Sequence, residues 1–275
     1  MTAQTIPFTV VIPVKDEEVN LEKCLQRLSL CDDVIVIDSG SQDMTQEIAL
    51  RYNAKLLQFK WDGRYPKKRN WFLLNHKPKY NWVLFLDADE FVSEAFLEEA
   101  TAAVLSGLNQ GYWLNYTNYF LGKRLKYGVP QRKLSLFRVG SGFYEKIEEE
   151  SWSRLDMEIH EHPIIEGSLG EISSPIDHND DRGIEKFVYR HLDYAKWEVA
   201  RLKKLADAKE TKCEKLTWRQ RTKYSLLGNP FFPILYFFYQ WIIKFGILDG
   251  YAGYQYAVHK FWYFNLIGIL SRPKG

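Results

Sequence analysis

The chain has 275 residues, enough for one large domain or a catalytic domain with an appendage, and either buries a sizeable core without disulfide staples. A formal net charge of +2 lacks the one-sided basic excess of a nucleic-acid binder, so no nucleic-acid partner is expected. The three cysteines, Cys24, Cys31 and Cys213, fit neither a disulfide framework nor a zinc site and read as reduced. Residues 1–7 lack a basic start followed by an apolar core, so no secretory signal is expected, and the sequon Asn115-Tyr116-Thr117 is then coincidental.

Residues 8–14 read as a first buried strand and 18–28 as a helix with Val19, Leu21, Leu25 and Leu28 turned largely inward. Residues 34–37 are a wholly apolar strand of the parallel-sheet kind. Asp43 is placed to cap a helix from Met44 with Gln46 at its third position, close to a capping box. A strand near 56–59, a helix near 67–74 and a strand at 82–86 follow, and this alternation means a doubly wound α/β sheet whose ligands sit beyond the carboxyl ends of its strands. A helix is expected after Ser93, then Tyr/Trp-rich strands at 112–120 and 134–138, then polar loops to about residue 180. Apolar spacing predicts a long amphipathic helix from near Arg182 to near Ala206.

From 201 to 223 bases outnumber acids, and an apolar aromatic tail follows, a step that suggests an anionic membrane surface. The run 231–243 is uncharged but contains Pro233 and is closed by Lys244, shorter than a spanning helix; 251–270 is broken by His259 and Lys260. Two short helices lying in the interface are the expectation, with completion of a soluble core or one tilted span as alternatives.

The chemistry concentrates at Phe85-Leu86-Asp87-Ala88-Asp89-Glu90. Residues i and i+2 of a strand share a face, so Asp87 and Asp89 are placed to grip one hard divalent cation, Mg²⁺ or Mn²⁺, and leave positions for diphosphate oxygens. Ion pairing or an acidic turn is the alternative. Three further motifs stand in order at predicted element ends: Pro13-Val-Lys-Asp-Glu-Glu18, Val36-Ile-Asp-Ser-Gly-Ser-Gln-Asp43 and Lys67-Lys-Arg-Asn70. Glu17 and Asp38 are suited to accept from a nucleobase or ribose, or else serve as a helix cap and a turn former. Lys68 and Arg69 offer a point charge and a fork of donors to a diphosphate, or form a solvated basic turn.

Together these motifs resemble the inverting glycosyltransferases of family 2, over roughly residues 6–90. Ile159-His-Glu-His162, Asp177-His178, Tyr194-Ala195 and Phe245-Gly-Ile-Leu-Asp-Gly250 look like the branch that includes lipopolysaccharide-core glucosyltransferases. The resemblance implies the GT-A nucleotide-diphospho-sugar transferase fold, α/β with a mostly parallel doubly wound sheet, and here a C-terminal helical membrane-associating tail. It implies a nucleoside pocket lined by Pro13, Val14, Glu17 and Asp38. Asp89 is then the principal metal ligand, with Asp87 facing the ribose or reaching the metal through water. Glu161 corresponds to the branch's His-Glu pair and is the candidate base, His160 orients it, and His178 completes the metal site or is a loop histidine without special role. Arg132 and Arg138 bracket a strand that approaches the cleft, for contact with diphosphate or an anionic acceptor. Trp113, Tyr116 and Tyr119 stack on sugar faces or belong to the core.

The expected organisation is a GT-A domain over 1–200, its donor half about 1–92 and its acceptor half about 93–200, with a membrane-associating region over 201–275. The expected activity moves a single sugar from a nucleotide-diphosphate-sugar donor to a lipid-linked glycan acceptor, at the cytoplasmic face of the plasma membrane. A Gln-x-x-Arg-Trp motif, as in processive synthases of the family, does not occur. Transfer to a polyprenyl phosphate and a catalytically silent membrane scaffold are the competing expectations.

Overall fold

The computed structural model describes residues 5–146, 163–211, 218–227 and 229–272, and they divide into two compact units. Unit 1 comprises 1–119 and 130–181; unit 2 comprises 120–129 and 182–275. The helix Gly183–Thr211 of unit 2 runs unbroken across residue 201.

Unit 1 opens with β1 (Thr9–Val14), α1 (Glu18–Arg27), β2 (Val34–Asp38), α2 (Thr45–Arg51), β3 (Lys55–Gln58), α3 (Lys68–Asn75) and β4 (Trp82–Phe85). Then come the short β5 (Glu90–Phe91), α4 (Glu94–Ser106) and β6 (Gly111–Phe120). The two-residue β7 (Lys123–Arg124) lies in unit 2; β8 (Gln131–Arg138), β9 (Gly142–Tyr144), β10 (Pro163–Ile165) and β11 (Leu169–His178) complete unit 1.

The main sheet runs β3-β2-β1-β4-β8-β6-β11-β5. The first four strands are mutually parallel, β8 turns against β4 and β6, β11 is parallel to β6, and β5 runs against β11. Most strands therefore point one way, with β8 and β5 reversed. Every residue of β1 is buried, Val10, Ile12 and Val14 in a core with α1, α2 and α4, and Val11 in a second core with Phe72 of α3. That two-sided burial is why β1 reads as an unbroken apolar run.

Several local expectations change. The helix after β2 starts at Thr45, and Asp43 accepts from the Thr45 N–H (3.0 Å) and the Glu18 N–H (3.0 Å); Gln46 reaches Asp38 instead of closing a capping box. The predicted polar loop before residue 180 contains the ten-residue β11, whose buried side chains are Ile172 and Ile176. Its register against β6 shifts between those isoleucines, and Glu99 of α4 accepts from the N–H groups of Ser173 (2.7 Å) and Ser174 (2.8 Å). Ser-Ser-Pro within the strand is the sequence of that bulge, which hid the strand. β9 and β10 form a separate antiparallel ribbon, closed so tightly that a Cβ on Gly142 would stand 2.0 Å from the Ile164 carbonyl oxygen.

Unit 2 contains α5 (Gly183–Thr211), α6 (Trp218–Leu227), α7 (Phe232–Phe238), a π-helical turn (Tyr239–Ile243), a 3-10 turn (Gly246–Asp249) and α8 (Gly250–Ser271). Ala195 and Val199 of α5 pack with Leu227, Tyr263 and Ile267. A Cβ on Gly253 would lie 2.0 Å from the Gly246 carbonyl oxygen, so a glycine there lets the 3-10 turn sit against α8. Among the described residues no single helix is long and apolar enough to cross a membrane.

Burial pushes the His191 imidazole down to about 3, helped by the positive charge of Lys260. An unfolded histidine titrates near 6.5, so between these limits the unfolded chain holds the extra proton and stability falls as pH falls below about 6.5. His191→Phe should flatten this decline, which approaches about 1.4 kcal/mol per pH unit at full slope. Urea midpoints measured from pH 7 to pH 4 give the check, and equal slopes in both proteins would refute it.

Candidate active site

The carboxyl ends of β1, β2 and β3 surround a cavity of about 440 Å³ lined by Lys15, Ser39, Gly40, Gln58, Phe59, Lys60 and Trp61. Its floor is tied by Asp38, which is fully buried at the end of β2. The Asp38 carboxylate accepts from the N–H groups of Gly40 (3.1 Å) and Ser41 (3.1 Å), from the Ser41 hydroxyl (2.5 Å) and from Gln46 (2.8 Å). It shapes the loop and turns its oxygens into it. Pro13 and Val14 are buried on β1, and the Glu17 N–H donates to Thr45 Oγ1 at 2.8 Å. Lys68 was expected to offer a charge to a diphosphate; instead it is fully buried and donates to the Val14 carbonyl at 2.9 Å, holding the end of β1.

Beyond β4 the chain lays three carboxylates in a row. Asp87 lies between two cations, Oδ1 accepting from Arg69 Nη2 at 2.6 Å and Oδ2 from Lys133 Nζ at 2.7 Å. Burial raises its pKa, but Lys133 and Arg69 outweigh that and hold the carboxyl well below the usual range. Glu90 is buried; it pairs with the same Lys133 and accepts from the Asp87 N–H (3.1 Å) and the Tyr116 hydroxyl (3.2 Å). Desolvation pushes Glu90 up, and burial together with the Glu90 charge pushes the Tyr116 phenol up. Lys133 resists its own desolvation because Asp87 and Glu90 flank it, and its pKa is raised. Arg69 also lies over the Tyr144 ring at 5.4 Å, and Asn70 bonds both the N–H (2.9 Å) and the carbonyl (3.0 Å) of Tyr144, fixing β9 behind it.

Asp89 is buried, and its Oδ2 lies 3.5 Å from His178 Nε2. His178 is the last residue of β11, opposite Glu90 of β5 and Asn118 of β6. Its Nδ1 is 2.9 Å from Asn118 Oδ1, an atom that only accepts, so Nδ1 carries a proton and Nε2 is the ring nitrogen turned toward Asp89. A carboxylate oxygen and an imidazole nitrogen set close together are a donor set that would suit one shared Mn²⁺ or Mg²⁺. No group of three metal-ligating side chains occurs among the described residues. The loop after His178 is clasped on both sides. The Asn179 N–H donates to the Asp89 carbonyl (2.9 Å), while buried Asn20 of α1 donates to Asp180 (3.0 Å) and to Glu17 (3.2 Å) and accepts from the Asp181 N–H (3.1 Å).

Thus the structure brings together Asp87, Asp89, Arg69 and His178. It does not bring in Arg138, which pairs with Trp82 at the opposite end of β4. Arg132 is at the correct end but on the other face, bound to Glu171 at 2.8 Å and lying over Trp113 at 5.7 Å. Tyr116 is a buried support for Glu90 and not an open stacking ring. His160 and Glu161 lie outside the described residues. Sequence reasoning missed Lys133, Glu90, Asn118 and Asn20. Lys133 was hidden by a bulge in β8: Leu136 pairs with Tyr112 but Leu134 with Trp113, so one residue is skipped and Lys133 shares a face with Leu136.

The model of the family described as Glycosyl transferase family 2 matches residues 9–157, more than half of the chain. The lipopolysaccharide core biosynthesis glycosyltransferase LpsC of Rhizobium meliloti (strain 1021) is 27% identical over 178 residues, 60% of this chain and 60% of that protein. A TPR repeat-containing protein of Synechococcus elongatus is 36% identical over 128 residues, 46% of this chain and 30% of its own length. The matches therefore span less than two thirds of either relative. Among solved structures, S. aureus TarS 1-349 in complex with UDP shares 27% identity over 45% of this chain and 38% of that one, with a TM-score of 0.37. The α/β fold with its mixed sheet is GT-A-like, and the chain belongs to glycosyltransferase family 2.

Proposed function

We propose that this chain transfers a single sugar, with inversion and with Mg²⁺ or Mn²⁺, from a nucleotide-diphosphate-sugar to a lipid-linked glycan acceptor. The observation that carries the reading is the pair Asp89 and His178, 3.5 Å apart at the exit of β4, with His178 Nδ1 held by Asn118 and Nε2 turned toward Asp89. The nucleoside has its place in the cavity beyond β1, β2 and β3, where Phe59 and Trp61 offer ring faces and Lys15 and Lys60 offer positive charge. Asp89 and His178 would hold the cation, which would supply positive charge against the charge growing on the leaving nucleoside diphosphate. Arg69, held by Asp87 and by the Tyr144 ring, fixes donors beside that charge before the reaction begins. Because inversion is one in-line displacement, the acceptor hydroxyl needs one carboxylate to take its proton, and the family resemblance gives that role to Glu161. The lipid-linked acceptor is supported by the name of the relative LpsC.

The test is thermal stabilisation by a panel of nucleotide-sugars with and without Mn²⁺. One nucleotide-sugar at about 100 times its Kd should add about 2.7 kcal/mol, a shift of several degrees, and only when Mn²⁺ is present. A panel with no shift, or a shift indifferent to the metal, would overturn the proposal.

A further inference from the structure

In unit 2 the stretch from Phe231 to Tyr251 turns large apolar side chains to solvent along its whole length. Phe231, Leu235, Ile243, Phe245, Leu248 and Tyr251 are each more than half exposed. Scattered exposed apolar residues are ordinary, but this many along one short stretch mark an interaction surface. Phe245 adds a second sign. Its backbone is left-handed (φ 58°), a strained state for a residue with a Cβ, and the ring held there points outward at 59% exposure. The left-handed residue joins the π-helical turn to the 3-10 turn, its N–H donating to the Ile242 carbonyl and its carbonyl accepting from the Leu248 N–H, and the ring itself is left outside.

Charge selects what covers the surface. From 218 to 275 the chain carries seven Lys and Arg and a single acid, Asp249. The Asp249 carboxylate is bound to the N–H groups of Lys126 and Tyr127, each at 3.0 Å, so it is turned into the fold. Lys244 closes the apolar stretch, with its ammonium over the Tyr239 ring at 5.6 Å, and Arg272 is exposed at the end of α8. Apolar and aromatic side chains flanked by cations, with no outward acid, complement an anionic lipid surface. We infer that residues 231–251 insert into an anionic phospholipid bilayer to the depth of the headgroup and acyl boundary, as a one-sided anchor. The inference goes beyond the donor reading and stands whether or not that reading holds.

Full-length protein is sedimented with vesicles of phosphatidylglycerol and phosphatidylethanolamine, and separately with phosphatidylcholine alone. The wild type should sediment with the anionic vesicles and far less with the neutral ones. The double variant Ile243→Asp/Leu248→Asp should lose about tenfold or more in partitioning. Its Mn²⁺-dependent stabilisation by nucleotide-sugar, read on the same samples, should match the wild type, which separates failure of the anchor from failure of the donor site. A wild type that stays in the supernatant, or a variant that sediments equally, would overturn the inference. So would a dimer in sedimentation velocity that the variant abolishes, since a second copy would then cover the surface.

Discussion

Asp89→Asn is expected to lower metal-dependent donor turnover by about 10²–10³-fold, the usual loss when one preorganised electrostatic group is removed from a transition state. The side chain is nearly isosteric, and the Asp89 carbonyl that accepts from Asn179 is untouched, so the loop after β11 stays clasped. What changes is the charge facing His178 Nε2 at 3.5 Å. Mn²⁺ affinity, followed by electron paramagnetic resonance without any donor, should fall with the turnover. Unaltered Mn²⁺ binding in this variant would remove Asp89 from the metal role. Asp87 is the instructive contrast, because Arg69 and Lys133 already occupy both of its oxygens. Two neighbouring carboxylates thus stand in different surroundings, Asp87 between Arg69 and Lys133 and Asp89 beside His178.

The second large effect is on stability. Lys133→Met removes the shared cation from Asp87 and from buried Glu90, and breaking such a pair by deleting one partner costs about 3–5 kcal/mol. In a chain of this size that is roughly 6–15 °C in the unfolding midpoint. Adding Glu90→Gln should recover part of the loss, since the double variant no longer buries an unpaired carboxylate while its amide still meets Tyr116. Denaturant titrations of the two single variants and the double variant form the cycle. Strictly additive losses would show that Lys133 and Glu90 do not depend on each other.

The first ninety or so residues were legible because their strands are buried and their acids fall where strands end. Residues 10–14, 34–37 and 82–86 are uniformly apolar, Asp38 and Asp87 follow the last two runs directly, and Asp89 stands two residues further on. The second half was harder for a physical reason. Its strands reach the site through bulges, at Ser135 in β8 and between Ile172 and Ile176 in β11, and a bulge breaks the alternation on which a reading of faces depends. Strict alternation points Arg132 at the site and Lys133 away; the bulge reverses both. Lys68 and Arg69 show a different limit. They are neighbours of like charge on α3, yet one is spent inside on the Val14 carbonyl and the other meets Asp87, a division set by helix position that composition does not carry.

Asn20 bears on how the chain is made. Its side chain joins the first helix to Asp180 and Asp181, 160 and 161 positions downstream. During synthesis the front strands emerge from the ribosome long before those partners exist, so until β11 has been translated and docked this amide has only its bond to Glu17 within the fold. A fragment ending near residue 92 would lose both aspartate contacts that tie the first helix to the end of β11, and is for that reason a poor stand-alone unit for expression.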